Sequence, residues 1–297
     1  MGKKATKGNI YCPLCLEKKN IELLDTNSFS LYFCKNCENG FVFPIPKNLS
    51  AYYPETYWQN LGRFSALREG LHNSFQKLRR HWFKNYLSKG NVLDVGSGEG
   101  KFGEMLGQNF NITNLEYPEA KVKNSNVFKV SFLNWKTTKR FNAIVFLESL
   151  EHVTNPLKYL QKANSLLKKN GLIFIEYPRF GSLESKILGK YWLQRDIPRH
   201  LFHFTEKGLR KIADNANLKI ISQKGIMSFQ YSPYCLLAST GQLLNIPVLN
   251  LRLGIIKNLP TLLFLFIGAP LAFILEIILY LLGESPLGLI VLEKKET

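Results

Sequence analysis

An α/β fold built on a doubly wound, mostly parallel sheet is the architecture this chain predicts. Three observations carry that expectation. Short apolar runs at 91–96, 111–116, 127–132, 141–147 and 171–177 alternate with helical patterns. The first run, Val92-Leu93-Asp94-Val95, breaks into a loop with glycine at 96, 98 and 100. The chain has 297 residues, 45% of them hydrophobic and 13% aromatic, enough to bury a sizeable core rather than stay disordered.

The segment 1–45 comes first. Its opening, MGKKATKGNIYCPLC, carries charge without an apolar run, so no secretory leader is expected. The predicted compartment is the cytosol, where disulfides are rare. Cys12 and Cys15 form one C-x2-C pair, Cys34 and Cys37 another, with eighteen residues between the pairs. This is zinc-ribbon spacing. Each pair sits on a tight turn, so four thiolates converge on one centre and close a tetrahedral shell around a structural Zn2+. Two disulfides are the plainer alternative, and the compartment argues against them. Cys235, alone among apolar residues, reads as an inert thiol.

The segment 46–90 holds a linker rich in proline and aromatics and then a helix over 63–89. Phe64, Leu67, Leu71, Phe75, Leu78, Trp82 and Tyr86 recur at three- and four-residue steps as one apolar stripe. Arg63, Arg68, Lys77, Arg79, Arg80, Lys84 and Lys89 fall on the other face. A solvated basic face is the preferred reading, and a surface for phosphate or acidic lipid is the sharper one.

The segment 91–230 carries the strand–helix alternation. A helix after the glycines begins near Lys101. Another is signposted by Asn155 as cap and Pro156 in the first turn, with Lys168 and Lys169 in the last turn and Gly171 ending it. A third starts at Thr205-Glu206 and leads to a strand at 218–224. In such a sheet ligands sit beyond the carboxyl ends of the strands, where Gly96, Gly98 and Gly100 fall. Glycine lets the backbone turn and approach a ligand, and the next helix points its positive end there. A dinucleotide fingerprint would need glycine at 101, which is Lys101. Glu116, twenty-two residues after Asp94, ends the second strand, where a carboxylate accepts hydrogen bonds from a ribose diol.

Those residues carry a resemblance. The stretch 92–100 resembles the first motif of class I S-adenosylmethionine-dependent methyltransferases, and the likeness covers about 75–230 and the C-terminal end. Glu151-His152-Val153 and Leu167-Lys168-Lys169-Asn170-Gly171 are similar to the family's landmarks around its fourth and fifth strands. Asn142 and Asn170 stand where the family often has aspartate and glycine. The block 196–220 is similar to the branch that modifies sugars and lipid-linked glycans, which frequently carries an N-terminal zinc ribbon. The resemblance implies a seven-stranded, Rossmann-like sheet and S-adenosyl-L-methionine as cofactor. It assigns Asp94, Gly96, Gly98 and Gly100 to the methionine end and Glu116 to the ribose. Phe132 or Leu133 would flank the adenine, and Leu147 and Glu148 would line the methyl-transfer site. Transfer is an in-line displacement, so positioning is the main task. A hydroxyl, amine or carbon nucleophile must also lose a proton. His152, His200 and His203 qualify because imidazole titrates near neutrality, and Glu148 is the carboxylate alternative. A hydrogen bond at a helix start is the plainer reading of His152, and a solvated strand end that of Glu148. His200 and His203 lie in a loop expected near the pocket mouth, suited to binding substrate or cofactor.

The segment 231–284 is greasy. Residues 261–282 hold one charge, Glu276, and as a helix would be about 33 Å long against a bilayer core of about 30 Å. Pro270 would kink it. Residues 285–297 look like the family's last, antiparallel strand, which must return to the same sheet as 218–224. A single crossing would leave that strand on the wrong side. The expectation is therefore a hairpin or kinked helix in one leaflet, with Tyr234 to Leu244 as partner and Arg252 and Lys257 at the headgroups. A buried helix or dimer interface is the plainer reading.

The 39 basic residues outnumber 22 acidic ones, a formal charge of +17, which favours an anionic partner. The expected protein is an enzyme at the cytoplasmic face of the cell membrane, methylating a small-molecule, sugar or lipid-linked glycan acceptor. RNA methylation suits the charge and the ribbon but not the greasy segment. A non-catalytic binding module is disfavoured by the intact loop and Glu116.

Overall fold

The computed structural model describes residues 10–26, 28–53, 65–228, 232–246 and 259–295. Arg63, Phe64, Arg252 and Lys257 lie outside them, as do the side chains of Leu67, Arg68 and Leu71.

Strands β1 (Ile21–Thr26), β2 (Ser30–Cys34) and β3 (Asn39–Phe43) form an antiparallel ribbon. A short strand from far along the chain, β9 (Phe202–His203), joins its edge to make a four-stranded sheet.

The main sheet has seven strands: β4 (Gly90–Val95), β5 (Phe110–Glu116), β6 (Val127–Lys129), β7 (Phe141–Leu147), β8 (Leu167–Pro178), β10 (Leu218–Ile226) and β11 (Leu287–Lys294). Their order is β10-β11-β8-β7-β4-β5-β6. Pairing is parallel from β8 to β6, and β11 runs antiparallel to both neighbours. The chain leaves β4 for β5 on one side and later returns to β7 on the other. That reversal makes the carboxyl end of β4 the crevice where such sheets bind ligands.

The period-two rule explains how one sheet serves two cores. Leu93, Ile144, Ile173 and Ile290 face helices α3 (Pro156–Leu166) and α5 (Glu206–Asn215) and the ribbon. Their chain neighbours Val92, Val145, Phe174 and Val291 face α1 (Ser65–Lys84) and α2 (Lys101–Leu106). Both faces are covered, so the central strands are apolar on both sides. On the second face Phe83 is 4.7 Å, centroid to centroid, from Phe174 and packs edge-on to Phe102 and Phe110.

Three sequence expectations are corrected. Helix α3 starts as expected, with Lys158 N–H donating to Asn155 Oδ1 and Pro156 in the first turn. It ends at Leu166, not at Gly171. Leu167 pairs with Phe141, so the sheet takes Lys168 and Lys169 into β8, and a register shift follows with Asn170 at φ 60°. The strand expected at 127–132 stops at Lys129. Helix α1 does not keep all its basic residues in solvent, because Arg79 is drawn beneath the crevice. Lys77, Arg80 and Lys84 do stay exposed.

Helices α4 (Leu183–Leu188), α6 (Ser232–Leu243) and α7 (Leu259–Leu281) form an apolar layer beyond β8. Helix α7 runs through Pro270. Gly268 lies so close to Leu237 of α6 that a Cβ would sit 2.7 Å from it. Thr261, Ala272 and Glu276 are buried on one stripe of α7, whereas Leu263, Phe266, Ile267, Leu271, Ile274 and Ile278 are exposed. Among the described residues this is the one helix long and apolar enough to cross a membrane, and most of its side chains are not buried. The strands on either side of the α6–α7 segment in sequence, β10 and β11, lie in the same sheet and pair with each other.

Candidate active site

Three glycines shape the crevice. Gly96, Gly98 and Gly100 all have positive φ, at 79°, 54° and 74°. A Cβ on Gly96 would lie 2.4 Å from the Ser149 Cβ, so the loop rests directly on the end of β7. Ser149 Oγ–H donates to the Val95 carbonyl at 2.6 Å and locks the two strand ends together.

Glu116 closes the other side. Its Oε2 accepts from the Gly98 amide at 2.7 Å and its Oε1 from the Tyr117 amide at 2.8 Å. Burial pushes this carboxyl up, and those two amides pull it back towards the charged form. Asp94 is only 2% exposed, and its Oδ1 has no hydrogen-bond partner among the described residues. Burial raises it to about 7, against the pull of Arg79. An unsatisfied buried carboxylate is costly unless a donor arrives. The loop thus offers a backbone cradle and two carboxylates. That donor set fits an ammonium group and a ribose diol, which S-adenosylmethionine carries.

Val130 N–H donates to the Glu116 carbonyl at 2.9 Å and brings the segment after β6 alongside. Phe132 is buried below it, edge-on to Phe146, while Leu133 stays half-buried. Lys162 Nζ donates to the Leu133 carbonyl at 3.0 Å and lies 5.2 Å from the Phe132 ring centroid.

The other bank is acidic. Arg79 donates from Nε to Glu176 Oε2 at 2.9 Å and from Nη2 to Glu176 Oε1. The same guanidinium lies 3.9 Å from Glu148 Oε2. Glu148 follows Leu147, the last residue of β7, and adopts φ 52°, a conformation unusual for a residue with a side chain. Its Oε1 has no hydrogen-bond partner among the described residues. Burial and the neighbouring Glu176 raise it to about 8 despite Arg79. Nothing in the local pattern of α1 marks Arg79, which sits on the expected solvent face. Its one sequence signal is an acidic residue, Glu176, inside the otherwise apolar stretch Leu172–Tyr177 of β8.

The three histidines come together. His152 and His200 rings are 4.7 Å apart, and His200 and His203 rings 6.4 Å. His152 Nδ1 lies 2.9 Å from the Arg199 carbonyl and 3.1 Å from the Tyr53 hydroxyl. His200 Nδ1 lies 2.7 Å from the Gln194 carbonyl, and His203 Nε2 lies 2.8 Å from that of Arg195. A carbonyl only accepts, so those nitrogens carry the protons. Burial lowers all three, His203 to about 4. Glu151 beside them is 1% exposed, has both carboxylate oxygens unpartnered among the described residues, and is raised well above the usual range by burial. Glu151, His152 and His200 offer ligand atoms within 4.8 Å of one another, a set able to share a proton or hold a cation.

The four cysteines also converge. Cys12 and Cys37 sulfurs are 3.5 Å apart, as are those of Cys15 and Cys34, and all four lie within 4.8 Å. A tetrahedral shell with Zn–S bonds of about 2.3 Å spaces its sulfurs about 3.8 Å apart. The donor set fits zinc. All four are free thiols. The Cys12 hydrogen bond lowers Cys37 to about 5 and raises Cys12 in turn.

Comparison with known proteins decides the family. A family described as a methyltransferase domain matches residues 63–223, more than half of the chain. The chain belongs to the class I S-adenosylmethionine-dependent methyltransferases. It is similar to a ubiquinone biosynthesis O-methyltransferase, mitochondrial, from Dictyostelium discoideum, 29% identical over 152 residues. That match covers 49% of this chain and 44% of the relative, so it spans less than half of that protein's length. A ubiquinone biosynthesis O-methyltransferase from Rickettsia typhi is 23% identical, with 58% of this chain and 78% of the relative covered. Among solved structures, a SAM-dependent methyltransferase from Archaeoglobus fulgidus superposes with a TM-score of 0.50 at 18% identity, covering 78% of this chain and all of that one. The likeness is one of fold.

Proposed function

We propose that this methyltransferase transfers a methyl group to a hydroxyl of a small-molecule, sugar or lipid-linked acceptor at the cytoplasmic face of a membrane. The observation that carries the transfer is the crevice itself: the Gly98 amide bound to Glu116 across from Asp94, whose Oδ1 has no hydrogen-bond partner among the described residues. Bound there, S-adenosylmethionine supplies an electrophilic methyl group. Asp94 and the loop amides hold its amino-acid end, and Glu116 holds its ribose. Phe132 and Leu133 flank the base, and Leu147 lines the transfer site. The relatives' names supply the oxygen acceptor.

A hydroxyl attacks well only as its proton leaves. Glu148 is our choice of base, and its Oε1 takes that proton. A carboxyl raised to about 8 is ionised in part near neutrality, and its conjugate acid is weak enough to keep the proton. Arg79 and Glu176 hold it in place. His152, His200 and His203 shape the acceptor side, each tied to a backbone carbonyl. Zn2+ on Cys12, Cys15, Cys34 and Cys37 holds the ribbon.

The membrane part rests on α7. One stripe packs on α6, and the opposite arc is a row of large exposed apolar side chains. Leu183 and Ile187 on α4 extend the patch, and Lys186 and Lys190 are exposed beside it. A patch this long with lysines at its rim suits an anionic leaflet. With β10 and β11 paired in one sheet, the helix lies in one leaflet instead of spanning.

One experiment tests the reading. Cell fractions are incubated with the protein and methyl-labelled cofactor, then separated into lipid, glycan and RNA. Label in the organic-extractable or glycan fraction is expected. Label in RNA alone would overturn the acceptor class, and no S-adenosylhomocysteine from any fraction would overturn catalysis.

A further inference from the structure

The loop 194–205 carries His200 and His203 and runs over Glu151 and His152, yet its outer side does not face solvent. It meets the ribbon. Strand β9 pairs with β3, Gly40 opposite His203 and Phe41 opposite Phe202. Leu201 sits between the two layers. Its amide donates to the Glu151 carbonyl at 2.9 Å, and its carbonyl accepts from the Val42 amide at 2.9 Å. One peptide unit on each side of Leu201 thus joins the ribbon to the candidate site. Asp25 of β1 holds Arg195 at 3.0 Å, at the other end of the loop.

Asn39 links this contact to the cysteine knuckle. It is 0% exposed, two residues after Cys37. Its Nδ2 donates to the Cys37 carbonyl at 3.0 Å, and its Oδ1 accepts from the Thr205 amide at 3.3 Å. Thr205 Oγ1 donates to the Glu38 carbonyl at 2.6 Å and accepts from the Gly208 amide at 2.9 Å as the cap of α5. The fit allows no slack. A Cβ on Gly208 would lie 2.1 Å from Asn39 Oδ1, and one on Gly40 would lie 2.9 Å from the His203 Cβ. By contrast, the glycine crevice takes its contacts from β4, β5 and β7, which follow each other closely in the main sheet.

We propose that the ribbon is a positioning clamp for the acceptor-side loop, with Asn39 as the positioning residue that transmits the geometry of the cysteine knuckle to Leu201, His200 and Glu151. Closing the knuckle fixes Cys37, Glu38 and Asn39. Asn39 and Glu38 then fix Thr205, and the β3–β9 ladder fixes residues 201–203. The clamp acts on one half of the site only. The assignment of this loop to the acceptor side rests on the function proposed above, but the clamp itself is a statement about structure and is tested without any acceptor.

The test is amide hydrogen exchange on the full chain, with S-adenosylhomocysteine affinity measured on the same samples. Four samples are compared: protein loaded with Zn2+, protein treated with chelator, Asn39→Ala and Asp25→Asn. Exchange of 199–205 is expected to rise at least tenfold after chelation and in Asn39→Ala, and about threefold in Asp25→Asn. Exchange of β4 and β5 and the S-adenosylhomocysteine affinity are expected to stay within threefold. Unchanged exchange of 199–205 while residues 10–43 open would overturn the clamp. So would a rise spread equally over β4 and β5 with loss of S-adenosylhomocysteine binding, since the ribbon would then support the whole domain. If Asn39→Ala does not accumulate, chelation of the wild-type protein and Asp25→Asn decide between the same outcomes. An acceptor trial that fails while the exchange pattern holds would count against the proposed function and leave the clamp standing.

Discussion

Glu116 and Glu148 stand at the carboxyl ends of β5 and β7, on either side of β4, and are held by different means. Glu116 is tied by the amides of Gly98 and Tyr117, both within eighteen residues of it. Glu148 is set by Arg79 from α1 and Glu176 from β8, and its backbone turns at φ 52°. The first bank is local and hydrogen-bonded to backbone. The second is assembled from distant segments, and burial raises the Glu148 carboxyl at its centre. A fixed ligand can be met by a fixed local cradle. A variable acceptor can be met by side chains recruited from around the fold.

The comparison breaks first at Gly96. A valine there needs φ 79° and places its Cβ 2.4 Å from that of Ser149. Binding of S-adenosylhomocysteine by Gly96→Val should weaken about a thousandfold, or about 4 kcal/mol, by calorimetry. Retained affinity would mean that the loop does not approach the ligand.

His203 gives the next largest effect, on the other bank. Burial lowers its pKa from 6.5 to about 4, so the unfolded chain takes up a proton that the folded chain refuses. Its stabilising contribution is complete above about pH 6.5 and is lost as pH falls towards 4, about 3 kcal/mol in all. Denaturant unfolding across that window should show the slope, and His203→Gln should reduce it by its own share, leaving that of His152 and His200.

Glu148→Gln comes third. It should lower kcat about a hundredfold with the acceptor extract that takes label, while S-adenosylhomocysteine affinity stays within threefold. The wild-type rate should climb as pH rises towards 8, because a carboxyl raised to about 8 must lose its proton to act as base. The variant should lack that limb. An equal loss of cofactor affinity would erase the division between the banks.

The smallest effect tests the apolar layer. Phe266 is 82% exposed and Ile267 59%. Changing both to serine should cut cosedimentation with phosphatidylglycerol vesicles about tenfold and leave thermal unfolding unchanged. A drop in stability instead would place these side chains in a protein interface.

The two banks also differ in how far they could be read from sequence. Asp94, the glycines and Glu116 lie within one strand–helix–strand unit, where element lengths are regular and spacing maps onto space. Cys12, Cys15, Cys34 and Cys37 were legible for the same reason. Arg79 was not. A helical stripe says which side chains share a face, but not that one basic member beside the stripe is pulled under by a glutamate ninety-seven residues on. Helix α3 overran in the same way: Lys168 and Lys169 suit a helix end, but pairing of Leu167 with Phe141 outweighs that preference. Glu276 looked like a charge stranded in a membrane segment. It is buried on the side of α7 that faces Glu184, whose Oε1 accepts from Trp192 Nε1 at 3.0 Å.

Sequence by itself determined the alternation of strands and helices, the glycine crevice and the four-thiol knuckle, because each depends on residues close in the chain and on fixed backbone geometry. Only the tertiary structure decided that β9 leaves the main domain to complete the ribbon sheet, and that Arg79, Glu148 and Glu176 share one buried charge cluster. The physical reason is common to both. Their partners are selected by burial and strand-edge pairing between segments far apart in sequence, and no local period records which segment will arrive.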